Sequence, residues 1–248
     1  MANRIKILNI WVDAINKKIA IKKVHHYLAN GTRPHSIFAV NPEKNYSFAK
    51  DCQLLKTFQT ADLLLPDGIG LVWAVRFLFG RRIERIPGSE FIADICKIAA
   101  EEGYSIFLFG AKEKINKMAG KMMQKKFPGL KIAGRSNGYV KHSEMQDLID
   151  RINNSHAEIL FIALGSPKQE KWFATFSKHL KYVKVCQCIG GTLDVIAGTV
   201  KRAPERWQKL SLEWLYRLIT QPSRIKRQKV LPLFVIAVLI TKLKRLAY

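Results

Sequence analysis

The residues best suited to chemistry sit in short turns that follow apolar runs. In Leu63–Phe77, "LLLPDGIGLVWAVRF", a strand-like run gives way to Pro66-Asp67 and then to Gly68-Ile69-Gly70 at the head of an amphipathic segment. Strand, G-x-G, helix is the order in which a dinucleotide fold cradles a pyrophosphate, but that fingerprint needs a third small residue where helix meets strand. The position three after Gly70 is Trp73, which argues against a dinucleotide. Asp67 itself is the other candidate: a carboxylate on a tight turn can act as a general base, or it can cap the helix that starts at Gly68. Arg85, just before Pro87-Gly88 and a helical pattern, could share a diphosphate with backbone N–H groups. Its alternative is a solvated arginine beside Arg81 and Arg82. "GSPKQE" offers Gln169, whose amide both donates and accepts. "GGTLD" offers Gly190 and Gly191 for close backbone approach to a nucleotide, with Thr192 and Asp194 within reach of ribose or base.

Other chemistries find no support in the motifs. There is no G-x-S-x-G elbow and no H-E-x-x-H, and His25, His26, His35, His142, His156 and His179 lack ligand spacing. No D-x-D occurs, so a metal-independent site is expected, with phosphate neutralised by arginine, lysine and backbone N–H groups. No cofactor is implied.

The elements that must position these turns alternate. "IKILNIWV", "HSIFAV", "ADLLLP", "YSIFLFG", "LKIAG", "EILFIALG" and "YVKVCQCIG" read as strands, several apolar enough to be covered on both faces. Helical patterns fill the gaps: Ile15, Ile19, Tyr27 and Leu28 follow helical spacing, "PEKNYSFAKDCQLLKTF" reads as one helix opened by Pro42, and "SEFIADICKIAAEEG" ends at Gly103. This rhythm predicts an α/β fold, Rossmann-like, with a mostly parallel sheet, right-handed crossovers and helices on both faces. Sites in such sheets gather at the carboxyl ends of the strands, where Asp67, Gly110, "GSPKQE" and "GGTLD" would share one crevice.

The rhythm predicts an α/β core over residues 1–200 and a basic, helical C-terminal appendage over 201–248. The apolar run Val230–Ile240 is eleven residues long, whereas a spanning helix needs about twenty. Arg224, Lys226, Arg227 and Lys229 precede it and Lys242, Lys244 and Arg245 follow it, as expected of a segment lying in a membrane interface; the alternative is a core helix with charged ends.

A chain of 248 residues that is 48% hydrophobic can bury a full core. Its formal net charge of +23 implies an anionic partner: nucleic acid, an acidic leaflet or a phosphate-rich substrate. A nucleic-acid module would show aromatic and basic residues interleaved in a recognised element, and no RNP, zinc-knuckle or G-x-x-G pattern is present. A basic nucleic-acid-binding protein is therefore the secondary reading. Cys52, Cys96, Cys186 and Cys188 lie in apolar segments and read as reduced core thiols of a cytosolic protein. The N-terminal "MANRIKILNIWVDA", interrupted by Lys6 and Asp13, does not read as a signal peptide.

Together, "NPEKN" at Asn41–Asn45, "LLLPDGIGLVWA", "RIPGSEF" at Arg85–Phe91, "FLFGA", "LGSPKQEKW" at Leu164–Trp172 and "GGTLDVIAGTVKRAPERW" at Gly190–Trp207 resemble the WecG/TagA/CpsF glycosyltransferases in order and spacing. The resemblance implies an inverting, peripheral enzyme at the cytoplasmic membrane face. Such an enzyme moves a hexose of N-acetylmannosamine, uronic acid or glucose type from a UDP-sugar to a polyprenyl-diphosphate-linked sugar, for bacterial surface polysaccharide or teichoic acid. It further implies Asp67 as catalytic base, Arg85 at the diphosphate leaving group, Asn41 near the substrates and Gln169 at the sugar. Arg217, Arg224 and Arg227 would belong to a segment that closes over the site and touches the membrane. Where the family often carries threonine, two residues before Asn41, this chain has Ala39. Self-association is left open by the sequence.

Overall fold

In the computed structural model, residues 4–48, 50–200, 203–204, 206–207, 213–220 and 229–246 are described. Six strands form the expected parallel sheet: β3 (His35–Val40), β4 (Leu63–Pro66), β5 (Ser105–Gly110), β6 (Lys131–Ser136), β7 (Ile159–Ala163) and β8 (Val185–Cys188), in the order β4-β3-β8-β7-β5-β6. Every neighbouring pair is parallel. The segment read as one N-terminal strand is instead an antiparallel hairpin, β1 (Arg4–Ile7) and β2 (Ile10–Asp13), outside the main sheet. Leu8 turns it with φ 53°, a conformation the apolar pattern does not announce.

Helices cover both faces. On one lie α1 (Lys17–Asn30), α5 (Gly88–Glu102), α6 (Glu113–Lys126) and α9 (Thr192–Ile196), packed on Ile37, Leu65, Leu108, Phe161 and Val185. The other face carries the hairpin, α3 (Cys52–Gln59), α4 (Ile69–Phe79), α7 (Met145–Asn154) and α8 (Lys168–Phe176), packed on Phe38, Leu64, Phe109, Ile162 and Cys186. Alternate strand residues thus feed two cores, which is why the strands read as continuous apolar runs. Two local expectations change. The helix expected from Pro42 is two, α2 (Lys44–Phe48) and α3, because the Asp51 carboxylate accepts from Leu54 N–H at 3.0 Å and starts a new helix. In α1 the buried side is Ala20, Val24, Tyr27 and Leu28, and Ile19 is exposed.

After residue 200 the described chain contains α10 (Glu213–Thr220) and α11 (Val230–Leu246). Helix α11 packs against α4 and adds Phe234 and Val238 to the second core. No described helix is long and apolar enough to cross a membrane. Three cysteines are buried as expected, and burial pushes the Cys96 thiol up to about 12 and raises those of Cys186 and Cys188. Cys52 departs from that expectation: as the first residue of α3, it is exposed.

The amino end of the sheet is tied by carboxylates. Asp62 accepts from both Arg33 guanidinium nitrogens, Ser36 N–H and Oγ–H, and pairs with His35 Nδ1 at 3.1 Å. Buried Asp13 joins Arg4 at 2.7 Å and accepts from Leu64 N–H at 2.9 Å, which fastens the hairpin to β4. Burial alone would raise the Asp62 pKa, but the Arg33 fork and the Ser36 and His35 hydrogen bonds outweigh it and hold the carboxyl below its ordinary value. Its contribution to stability is therefore complete above the unfolded value of about 3.9 and is lost as pH falls through the lower folded value. Asp62→Asn is expected to lower the melting temperature at neutral pH and to flatten its decline in acid, as read by thermal unfolding across that range. An unchanged acid profile would show that Asp62 carries no such linkage.

Candidate active site

The chain leaves β3 for the edge strand β4 but reaches β8, the other neighbour of β3, from the opposite side of the sheet. Such a reversal opens a crevice at the carboxyl ends of adjacent strands. Asn41 follows β3, Asp67 follows β4, the Gly165–Gln169 turn follows β7 and Gly190 follows β8, so the parallel sheet delivers them all to one edge.

The β3 and β4 turns are locked together. Asp67 N–H donates to Val40 carbonyl at 3.0 Å, and a Cβ on Gly68 would lie 2.8 Å from Pro42 Cδ and 3.3 Å from Asn41 Cβ. Glycine at 68 is what allows the Asn41 and Asp67 turns to touch. Gly68 also occupies the capping position of α4 and has no side chain to cap with, so the Asp67 carboxylate is not the residue at the helix cap. Arg85 is strapped to the same turn: its Nε donates to the Asp67 carbonyl at 2.8 Å, and Ile86 N–H donates to Pro66 carbonyl at 2.8 Å. It is no free surface arginine; its Nη2 also lies 3.9 Å from Glu213 of α10. Trp73, expected to block close approach of helix and strand, is exposed on α4 and stacks on Phe77 instead.

Gln169 joins the next two turns. Its Oε1 accepts from Gly190 N–H at 2.9 Å and its Nε2 donates to Glu170 at 3.4 Å, and the residue is buried. Gly190 takes φ 56°, the left-handed region that favours glycine, with nothing within 4 Å of the position a Cβ would take. Gly191 stands at the start of α9. Thr192 is buried with its hydroxyl donated to the Ile189 carbonyl, and the Asp194 carbonyl takes Thr199 N–H and Oγ–H. Gly110 ends β5 with φ 128°, and a Cβ there would lie 2.4 Å from Ala163 carbonyl oxygen, so its small size serves close strand packing. Ala39 has a structural partner as well. A Cβ on Gly88, the first residue of α5, would be 2.9 Å from the Ala39 Cβ, so a small residue at 39 and glycine at 88 together let α5 begin directly over β3. The side chain of Arg217 and all of Arg224 and Arg227 lie outside the described residues.

Three contributions escaped the sequence. Lys44 and Glu170, both buried, form an ion pair at 2.8 Å. Lys44 Nζ also donates to Ser166 Oγ and stands 4.8 Å over the Phe58 ring. Each residue lies inside a quoted motif, "NPEKN" or "GSPKQE", but only the fold brings them together across the crevice floor. Glu170 holds the Gln169 amide from one side as Gly190 holds it from the other. Asn116, fully buried, donates from Nδ2 to the Gly110 and Ser136 carbonyls at 2.9 and 3.0 Å and so ties the ends of β5 and β6. Beyond β6 opens a polar cavity of about 590 Å³, lined by residues including Arg135, Asn137, Tyr139 and Arg151, with Gly138 N–H bound to the Ala111 carbonyl beside Gly110. Asn41, which the sequence reading did single out, has its Oδ1 buried with no hydrogen-bond partner among the described residues, in the turn that abuts Gly68.

This geometry coincides with a family. The model of the glycosyl transferase WecG/TagA/CpsF family matches residues 5–248. The chain belongs to that family. It is similar to the N-acetylglucosaminyldiphosphoundecaprenol N-acetyl-beta-D-mannosaminyltransferase of Bacillus subtilis (strain 168), 36% identical over 203 residues, covering 82% of this chain and 78% of that protein. The enzyme of the same name from Bacillus spizizenii is 35% identical over 204 residues, again 82% of this chain and 78% of the relative. Between the two classes the sequence left open, enzyme and nucleic-acid module, membership selects the glycosyltransferase.

The Lys44–Glu170 pair makes a stability prediction. Removing one partner of a buried pair leaves the other charge uncompensated, at a cost of about 3–5 kcal/mol. Lys44→Met is therefore expected to destabilise the fold by that order in urea unfolding, and Lys44→Met with Glu170→Leu to recover most of the loss. A single variant as stable as wild type would refute the buried pair.

Proposed function

We propose that this glycosyltransferase moves N-acetylmannosamine from its UDP derivative to a polyprenyl-diphosphate-linked N-acetylglucosamine, with inversion, at the cytoplasmic membrane surface. The observation that carries this reading is the meeting of Asn41, Asp67 and Arg85 on two interlocked turns, faced by the Gln169–Gly190 turns across the end of the sheet. The sugar and the lipid acceptor follow the names of the two Bacillus relatives.

In this reading Asp67 takes the acceptor hydroxyl proton as that oxygen attacks the anomeric carbon. A carboxylate is a weak base, so proton transfer accompanies C–O bond formation. The departing UDP gains charge at its diphosphate, where Arg85 and the N–H groups that open α5 supply positive potential. The unsatisfied Asn41 Oδ1 accepts a hydroxyl or amide donor from substrate. Because the Gln169 oxygen is already committed to Gly190, a sugar contact would use an Nε2 hydrogen; its larger role is to hold the nucleotide-side turn in shape. The Gly190–Asp194 turn receives the nucleoside. No metal is required, since arginine and backbone donors do the neutralising, and the basic C-terminal segment keeps the enzyme on the leaflet that carries its acceptor.

Asp67→Asn is expected to cut turnover about a hundredfold to ten-thousandfold while leaving UDP affinity nearly intact, because the amide keeps the shape and loses the basicity. Radiolabelled sugar transfer and calorimetric UDP binding read the two effects separately, and wild-type turnover in the variant would remove Asp67 from the base role.

Arg85→Ala is expected to cost several kcal/mol of transition-state stabilisation, on the order of an oxyanion-hole donor. Wild-type transfer is expected to survive EDTA; complete loss in EDTA, restored by manganese, would reveal a metal-dependent site.

A further inference from the structure

Helix α11 has two different apolar sides. Phe234 and Val238 are buried toward the core that includes α4, whereas Leu233, Ile236, Leu239, Ile240 and Leu243 are exposed, the last at 66%. A helix on an aqueous surface would be polar on that outer face. Helix α4 continues the same chemistry. Its buried positions are Leu71, Ala74, Val75 and Leu78, and its outward row, at helical spacing, is Ile69, Trp73 and Arg76. The Trp73 ring stacks on Phe77 with centroids 5.1 Å apart and planes 13° from parallel. Lys242 Nζ stands 5.8 Å from the Phe77 centroid and the Arg245 guanidinium 4.6 Å from that of Phe79, with Arg245 Nη1 donating to the Leu78 carbonyl. An aromatic seam therefore joins the two helices and is bordered at its carboxyl end by cations.

We propose that α4 is itself part of the surface that lies in the lipid headgroup layer, with Trp73 as its anchor, so that the helix that follows Asp67 sets the depth of the catalytic turn. The inference rests on the lipid-linked acceptor read above and extends the membrane contact from the C-terminal segment to the site's own helix. The occupant is an anionic bilayer. Tryptophan favours the boundary between water and hydrocarbon, and lysine and arginine near helix ends lay their stems along apolar surface and their heads among phosphates. A net charge of +23 adds attraction to an acidic leaflet. A helix of 17 residues with charges in its last turns lies on such a surface without spanning it. With its diphosphate at headgroup level and its polyprenyl chain still in the bilayer, the acceptor would then present its sugar hydroxyl to Asp67 from the side.

The test uses the full chain, sedimented with phosphatidylglycerol–phosphatidylethanolamine vesicles and with phosphatidylcholine vesicles. Trp73→Ala is expected to weaken partitioning onto the anionic vesicles about tenfold. It should raise the KM for a long-chain acceptor in those vesicles by a similar factor, with turnover on a short-chain, water-soluble acceptor unchanged. Trp73→Phe is expected to restore most of the partitioning. Ile69→Ser, one turn earlier on the same face, repeats the measurement if Trp73→Ala does not fold. Wild-type-like partitioning in both variants, with release by paired Ile236→Ser and Ile240→Ser substitutions in α11, would overturn the role of α4 and leave the membrane reading standing. Absence of wild-type binding to anionic vesicles would overturn both.

Discussion

Parallel strand order is the constraint on which the rest of the structure depends. When all six strands run the same way, every turn that leaves a strand at its carboxyl end does so at one edge, and residues as far apart in sequence as Asn41, Asp67, Gln169 and Gly190 are carried there by their strands. The backbone then does the fine placement. Val40 carbonyl receives Asp67 N–H, Asp67 carbonyl receives Arg85 Nε, and Gln169 Oε1 receives Gly190 N–H. Main-chain anchors of this kind leave few rotamers to freeze when substrate binds, which is the property a transferase needs to hold two substrates in line.

The carboxylate ties and the turns that carry Asn41 and Asp67 lie at opposite ends of the sheet. The carboxylates that fasten elements together, Asp62 with Arg33 and Ser36 and Asp13 with Arg4 and Leu64, gather where the strands begin, and their hydrogen-bonding capacity is spent within the protein. At the other end, the buried Asn41 Oδ1 and Glu170 Oε2 have no hydrogen-bond partner among the described residues. An unsatisfied buried acceptor costs stability unless something supplies a donor. The exception is the Lys44–Glu170 pair, a structural charge pair at the carboxyl end of the sheet. Its cost of desolvation is offset by the Ser166 hydroxyl and the Phe58 ring, and what it secures is the shape of the two turns beside it.

The last described helix is not an ordinary core helix. Helix α11 completes the packing of α4 with Phe234 and Val238 and presents aliphatic side chains on its outer face. Through Glu213, α10 stands beside Arg85. The described C-terminal helices are thus in contact with the helix that follows Asp67 and with the arginine strapped to it.

The sequence by itself determined the α/β rhythm, the carboxyl-end turns and the family, because these are local matters: apolar runs bounded by turn residues, and short motifs in fixed order. It also marked Asp67, Arg85 and Gln169 as residues worth locating. Tertiary structure decided what those residues touch. The split between α2 and α3 turned on one Asp51 cap, and the hairpin at the amino end on Leu8 at positive φ, both single-residue choices that periodicity does not register. The Gln169 oxygen accepts from Gly190 N–H, and Lys44 and Glu170, to which the sequence reading gave no role, are buried partners. The reason is physical. A side chain's spacing along the chain reports its own helix or strand, whereas its hydrogen-bond partner is set by how strands order themselves in the sheet, and that order is a property of the whole core rather than of any segment of it.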